Sequence, residues 1–301
     1  MGKISNELLL EKGLRTDFMK AFNNGEDPKD VMPVIMETQS TSNQEKYGWL
    51  GESPQLREWV DERQLSGLKD FDYTLPNKDY EATLSVDRNT MDDDQLGAVK
   101  IRVRDLAARA RTHPRKLFFD ALVAGTTDLC YDGQAFFSNS HSESGTAQDN
   151  LLGYSAAGSV PTVAEFSSAF EAARAAMIGF TDDQGEPRNE GDLNLYVFAS
   201  PLLKNVMDQV FNATLLSNST NTLKGAAIPV SSGRLSGLDF YLLDASGVIK
   251  PMIYQKRQAI NFESLEKGDR AFMRKEILYG VDYRVGFGYG AWYKAIKVVE
   301  S

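Results

Sequence analysis

The order of apolar and polar positions along this chain changes period several times, and each change predicts an element. Leu8, Leu9, Leu14, Phe18 and Phe22 fall on one face of a short amphipathic helix, and the polar run from Thr38 to Asn43 that follows reads as an arm. From Tyr47 the chain turns charged, with Trp49 and Trp59 set among Glu52, Arg57, Glu58, Asp61, Glu62 and Arg63. Ser53-Pro54 has the form of a helix start, and Leu56, Trp59 and Val60 then share a face for about two turns. This stretch carries too little apolar surface for a core of its own. Next, Phe71, Tyr73 and Leu75 alternate with polar residues. After Pro76-Asn77-Lys78-Asp79, so do Tyr80, Ala82, Leu84 and Val86. Period-two alternation bounded by turn residues predicts a hairpin with one buried face.

A helical period follows. Thr90 or Asp92 can cap it, Leu96, Val99, Val103, Leu106 and Ala110 carry it, His113-Pro114 interrupts it, and Leu117, Phe118, Ala121 and Leu122 resume it. The two pieces together reach roughly 45 Å, long enough for a structural spine. Glycines break up residues 125 to 160. Thr162 and Glu165 then form a capping box ahead of Phe166, Phe170, Ala173 and Met177, a helix that stops at Gly179. An apolar strand, Leu193 to Ala199, leads through Ser200-Pro201 into a helix with Leu202, Leu203, Val206, Met207 and Val210. This α/β alternation marks a second lobe. The Asn-, Ser- and Thr-rich run from Asn212 to Gly225 predicts an exposed loop. Strands are expected at Phe240 to Leu243, Met252 to Tyr254, Ile260 to Phe262 and Phe272 to Val285, ahead of a C-terminal run alternating glycine with aromatics, Gly286 to Tyr293.

Composition narrows the function. The 301 residues suffice for one or two domains with a substantial core. Acids outnumber Lys and Arg by 42 to 33, a formal charge of −9, where a protein dedicated to gripping nucleic acid shows a basic excess. The most basic stretch, Lys100 to Lys116, reads as a solvated or subunit-facing helix flank, with a face turned toward nucleic acid as the other reading. Cys130 is the single cysteine, so no intrachain disulfide forms, which suits a reducing cytoplasm. Glu7 and Glu11 bracket Leu8 to Leu10, so no signal peptide or membrane span is expected.

No catalytic, cofactor or metal site emerges. His113 precedes a proline in the spine and reads as a packing residue. His141, in Ser138-Asn139-Ser140-His141-Ser142-Glu143, lacks a nucleophile motif beside it and reads as structural. Asp92-Asp93-Asp94 fits helix capping better than a cation site. Asp182 to Glu186 lacks the spacing of a twelve-residue calcium loop. Gly286-x-Gly288-x-Gly290 misses the third glycine of the dinucleotide fingerprint, and Cys130 reads as a small buried residue.

The block Tyr47-Gly48-Trp49-Leu50-Gly51-Glu52-Ser53-Pro54-Gln55-Leu56-Arg57-Glu58-Trp59 resembles the Mu-type phage major head proteins. The likeness continues at Asn77 to Glu81, Asp92 to Leu96, Cys130 to Phe137, Gly237 to Asp244 and the glycine/aromatic C-terminus. Where members often carry Asp-His-Pro after the paired Phe, this chain has Ser140-His141-Ser142. The resemblance implies an α+β, Hong Kong 97-like capsid fold. Residues 1–45 would be an N-terminal arm, 46–76 an E-loop region, 77–124 a P-domain hairpin and spine helix, 125–265 an A-domain, and 266–301 the returning P-domain strands. It implies a major capsid protein, not an enzyme, that self-assembles through hexamers and pentamers into an icosahedral shell around packaged DNA, which the inner face meets without sequence-specific binding. The host cytoplasm is the expected place of assembly and the virion capsid the final location.

Trp49, Leu50, Leu56, Trp59, Val60 and Leu65 are the expected inter-subunit contacts, since each large apolar side chain covered by a neighbour contributes about 1.5–3 kcal/mol. The chain starts close to its folded part, which leads to the expectation of a separate scaffolding protein; a portal is expected too, and no membrane or cofactor. An encapsulin-like compartment shell and a carboxylate-dependent hydrolase are the alternative readings, the latter without any pair of acids that the sequence singles out.

Overall fold

Two sheets share one long helix in this computed structural model, which describes residues 2–26, 28–47, 73–87, 96–142, 146–182, 185–189, 193–216, 219–265 and 273–301. The chain begins with helix α1 (Gly2–Asn24). Strands β1 (Ile35–Gln39), β2 (Gln44–Lys46), β3 (Thr74–Pro76) and β4 (Lys78–Asp87) follow, then helix α2 (Leu96–Ala124). The second lobe contains β5 (Leu151–Tyr154), α3 (Val163–Gly179), β6 (Leu195–Ala199), α4 (Lys204–Asn212), β7 (Leu215–Leu216), β8 (Ser219–Thr220), β9 (Ile228–Ser231) and β10 (Phe240–Asp244). Two long strands, β11 (Met252–Leu265) and β12 (Glu276–Tyr289), run back to the first sheet, and β13 (Ala295–Glu300) ends in the second.

The first sheet has the order β1-β11-β12-β4, with β1 parallel to β11 and the other neighbours antiparallel. The second has the order β5-β13-β10-β6-β9 and is mixed. Its central strands β6 and β10 are buried at every position, as continuous apolar runs require. The capping box forms as its sequence predicts: the Thr162 hydroxyl accepts from the Glu165 amide (3.3 Å) and the Glu165 carboxylate accepts from the Thr162 amide (2.8 Å). The face of α3 formed by Phe166, Phe170, Ala173 and Met177 then enters the main core.

Helix α2 serves two cores. Its first half places Val99, Val103 and Ala107 against Leu14 and Phe18 of α1 and Phe262, Ile277, Tyr279 and Val281 of the first sheet. Its second half sends Leu117, Phe118, Phe119 and Leu122 into the main core with Phe198 and Trp292. Asp17 lies by Lys100 and Arg104, and Phe22 by Arg111, so α1 and α2 run in the same direction. The interruption expected at His113-Pro114 does not occur; α2 is one helix of 29 residues with Pro114 inside it. Packing on both sides of the proline holds the turn that its missing N–H would loosen.

Three other expectations change. The strands around Pro76 do not form a hairpin with each other: β3 pairs with β2, and β4 pairs with β12. Alternation reports which residues share a face and leaves the neighbouring strand undetermined. Asn77, at the junction, is buried and donates to Ser40 Oγ (2.9 Å) and the Ser42 carbonyl (3.0 Å), turning the chain from the two-stranded β2–β3 pair into the first sheet. On β4 only Val86 is fully buried, because this strand is an edge. The segments near 252–254 and 260–262 are parts of one strand, β11, with irregular register between Lys256 and Asn261. The run from Asn212 to Gly225 is not a plain exposed loop: Asn221 and Leu223 are buried, and Asn221 Nδ2 donates to the carbonyls of Val210 (2.7 Å) and Ala213 (2.9 Å).

The C-terminal glycines allow close approach. A Cβ on Gly288 would stand 2.6 Å from Leu75 Cδ1, and one on Gly290 would stand 2.3 Å from the Lys250 carbonyl oxygen.

Candidate assembly surface

The expected inter-subunit residues Trp49, Leu50, Leu56, Trp59, Val60 and Leu65 lie outside the described residues, which resume at Tyr73. The roots of that segment are described, and a buried polar network fixes them. The Tyr47 amide donates to the Tyr73 carbonyl (2.8 Å), joining the two ends. The Tyr47 hydroxyl donates to Gln255 Oε1 (2.6 Å) and lies 2.9 Å from the Thr38 hydroxyl. Gln255 Nε2 donates to Asn77 Oδ1 (2.7 Å) and to the Leu75 carbonyl (3.3 Å). Tyr73 Oη accepts from the Tyr289 amide (3.0 Å). Burial raises both tyrosines above the ordinary phenol range, so they stay neutral. Close by, Glu45 accepts from the amides of Thr41 (2.8 Å) and Ser42 (3.1 Å) and from Ser40 Oγ (2.8 Å). Those bonds, the Thr41 amide first, hold its carboxyl below its usual range. The two ends of the segment between Tyr47 and Tyr73 are thus fixed by a preorganised network on the first sheet.

Residues that carry chemistry elsewhere are used for structure. His141 is fully buried, its ring stacked on Trp292 at 4.2 Å, with Nδ1 2.5 Å from Asp132 Oδ2 and Nε2 3.3 Å from the Phe136 carbonyl. Among the described residues no hydroxyl or thiol bonds to the ring. His113 Nδ1 accepts from the Tyr283 hydroxyl, and its ring meets Tyr80 edge-on at 4.6 Å. Burial, then Lys116, lowers the His113 pKa and keeps the imidazole a neutral acceptor, while burial raises Tyr283. Cys130 is buried, with Sγ 3.6 Å from the Gly290 carbonyl. Asp182 is buried and accepts from the Glu186 amide at 2.8 Å, which closes its own loop. Asp92, Asp93 and Asp94 lie outside the described residues. Among the described residues no group of three or more His, Cys, Asp or Glu is placed to hold a metal ion, and no helix is long and apolar enough to cross a membrane.

Two features had no signal in the sequence. Lys294 Nζ meets the fully buried Asp244 carboxylate at 2.8 Å and donates to the Ser246 carbonyl (2.8 Å). Burial pushes the Asp244 pKa up, but the bonds from Lys294 and Ser246 outweigh it and hold the carboxyl below its usual range. The second is a cleft of about 280 Å³ between α1, α2 and the first sheet, lined by Phe22, Met32, Arg111, Tyr254, Ile260 and Tyr283 among others. Fifty or more residues separate most of these partners, so no local pattern announces them.

A long helix spanning two cores, a first sheet holding the buried network of Tyr47, Tyr73 and Gln255, and a second α/β lobe together define a shell subunit of the Hong Kong 97-like phage capsid class. The structure resembles the subunit of the procapsid of bacteriophage JBD30 with a TM-score of 0.58 and 26% identity, covering 97% of this chain and 76% of that one. The family model described as Mu-like prophage major head subunit gpT matches residues 8–164 and 230–301, and the chain belongs to that family. It is 28% identical over 291 residues to the major capsid protein of Escherichia phage Mu, covering 95% of this chain and 72% of that protein. It is 26% identical over 293 residues to the Mu-like prophage FluMu major head subunit of Haemophilus influenzae, covering 96% and 73%.

Proposed function

We propose that this head subunit associates with copies of itself, through hexamers and pentamers, into the closed icosahedral shell that encloses a phage or prophage genome. The observation that carries this reading is the likeness to the JBD30 procapsid subunit, which runs over 97% of the chain at 26% identity. In this reading residues 1–45 are the N-terminal arm, 46–76 the E-loop region, 77–124 the P-domain strand and spine, 125–265 the A-domain, and 266–301 the returning strands.

Trp49, Leu50, Leu56, Trp59, Val60 and Leu65 then find their cover on neighbouring copies, in self-complementary contacts repeated by symmetry. The pinned roots at Tyr47 and Tyr73 support this, because a protrusion that is to meet a neighbour needs a fixed base. A separate scaffolding protein and a portal are the further partners, and the role is structural, not enzymatic. Assembly belongs to the host cytoplasm and the product to the virion.

Expression of the full chain with and without the scaffolding protein tests the reading by size exclusion and negative-stain microscopy. Rings or shells of uniform size are expected with the scaffold. A stable small particle under every condition would refute shell building, and uniform shells from the chain alone would refute the separate scaffold.

A further inference from the structure

Both large sheets end in edge strands, and all but one of these are blunted. In the second sheet β5 and β9 have four residues each, and β9 contains Pro229, which has no N–H to offer. In the first, β1 has five residues, and where it stops β11 runs on through two register slips that break its edge. The other edge of that sheet is β4, ten residues from Lys78 to Asp87 that pair with β12 without a slip. It holds no proline or glycine, and its one lysine is its first residue. No strand among the described residues lies along its outer side. A row of N–H and C=O groups about 34 Å long is thus open to another strand. An edge of this kind aggregates unless a specific partner covers it.

The order of residues along β4 fits one partner, a second copy of β4. A two-fold pair of antiparallel strands must set one residue against its own copy, because successive residues turn their N–H and C=O to opposite edges. With Ala82 at that centre, Glu81 faces Thr83 of the second copy, Tyr80 faces Leu84 and Asp79 faces Ser85. Carboxylates then meet hydroxyls, apolar side chains meet apolar ones, and the smallest side chain of the strand stands at the axis. A centre at Glu81 sets that acid against itself. A centre at Thr83 sets Asp79 against Asp87, two carboxylates with partners in their own chain. Tyr80, edge-on to His113, and Leu84, packed on the smaller core, lie on the side of the sheet that carries the helices. Pairing about Ala82 therefore continues the same layer from one copy into the next.

We propose that β4 is a self-complementary contact, through which two copies of the chain join edge to edge, antiparallel about Ala82, and merge their four-stranded first sheets across a two-fold axis of the shell. This rests on the shell reading above. The strip is about 34 Å by 10 Å, far short of the about 800 Å² a side that holds a stable pair. Isolated subunits therefore stay apart at this edge, and the pairing forms where the other contacts of the assembly hold two copies in place.

Cross-linking tests the register. Ala82 and Ser85 are both exposed, and Cys130 is buried and does not compete. Shells formed with the scaffolding protein from Ala82→Cys or Ser85→Cys chains are treated with a short bis-maleimide and run on denaturing gels. Covalent dimers are expected at least tenfold faster from Ala82→Cys than from Ser85→Cys, whose two copies stand about 20 Å apart in this register. Equal rates, or no linking of Ala82→Cys in shells, overturn the proposal.

Charge exchange tests the contact without a reagent. Ala82→Lys and Ala82→Glu each oppose like charges at the axis, so each alone is expected to cut shell yield at least fivefold while subunit melting is unchanged. An equimolar mixture of the two is expected to recover the yield at least threefold. Normal yield from both variants alone, or a mixture no better than its parts, overturns the proposal. Failure of the unsubstituted chain to form shells overturns the shell reading instead.

Discussion

His141 and His113 show how the same side chain is put to two structural uses. The His141 ring fills the space beneath Trp292 and is the contact of a carboxylate, Asp132, whose side chain is 5% exposed. Replacing His141 by Ala empties the space beneath Trp292 and takes one partner from the carboxylate, which keeps the Gln134 amide, so the variant is expected to lose about 2–5 kcal/mol in urea unfolding. His113 is half-buried and neutral, accepting from Tyr283. Its pKa is lowered in the folded chain, so its contribution is complete above the unfolded value near 6.5 and is lost as pH falls through the folded value. Melting temperature should therefore drop between pH 7 and pH 5, and less steeply in His113→Gln, which keeps an acceptor that does not protonate. An identical slope in the two proteins would rule out His113 as the titrating group. The sequence reads both histidines as structural from the missing motifs around them. It was silent on Trp292 and Tyr283 as their partners, and equally on Lys294 for Asp244, because contacts across 50 to 170 positions leave no local trace.

Elements were legible where one segment decides its own form. The capping box of α3, its Phe166-Phe170-Ala173-Met177 face and the apolar run of β6 need only short-range rules. Strand partners need the rest of the chain, which is why β3 and β4 read as a hairpin yet join different sheets. The proline in α2 misled in the opposite sense, since tertiary packing carries the helix through it. Substituting Pro114 by Ala restores an N–H to the turn and should stabilise the chain by about 1–3 kcal/mol; a lowered melting temperature would show that the proline ring itself is required. Docking of α1 depends on Phe18, fully buried and stacked 4.8 Å from Phe262. Phe18→Ala is expected to cost about 3–5 kcal/mol and to speed amide exchange along the described part of α1, with α3 unaffected. Gly290→Ala sets a methyl 2.3 Å from the Lys250 carbonyl oxygen and should destabilise the fold in chemical denaturation, since backbone cannot give way as a side-chain tip would.

Across the whole molecule, the block from Tyr47 to Trp59 pointed to the family that the match over residues 8–164 and 230–301 establishes. The six contact residues that it suggested remain a proposal, tested by assembly of Trp49→Ala and Trp59→Ala variants, which should leave subunit folding intact and reduce shell yield several-fold. The strands β11 and β12 connect the two cores: Met252, Ile253 and Tyr254 belong to the main one, and Phe262, Tyr279 and Val281 to the other. Between them the register slips twice, from Lys256 to Gln258 and from Gln258 to Asn261. Through this stretch β12 keeps its pairing with β4 and α2 stays packed in both cores, so the missing rungs loosen β11 alone. Amides of residues 257–260 should exchange with deuterium ahead of those at 252–255.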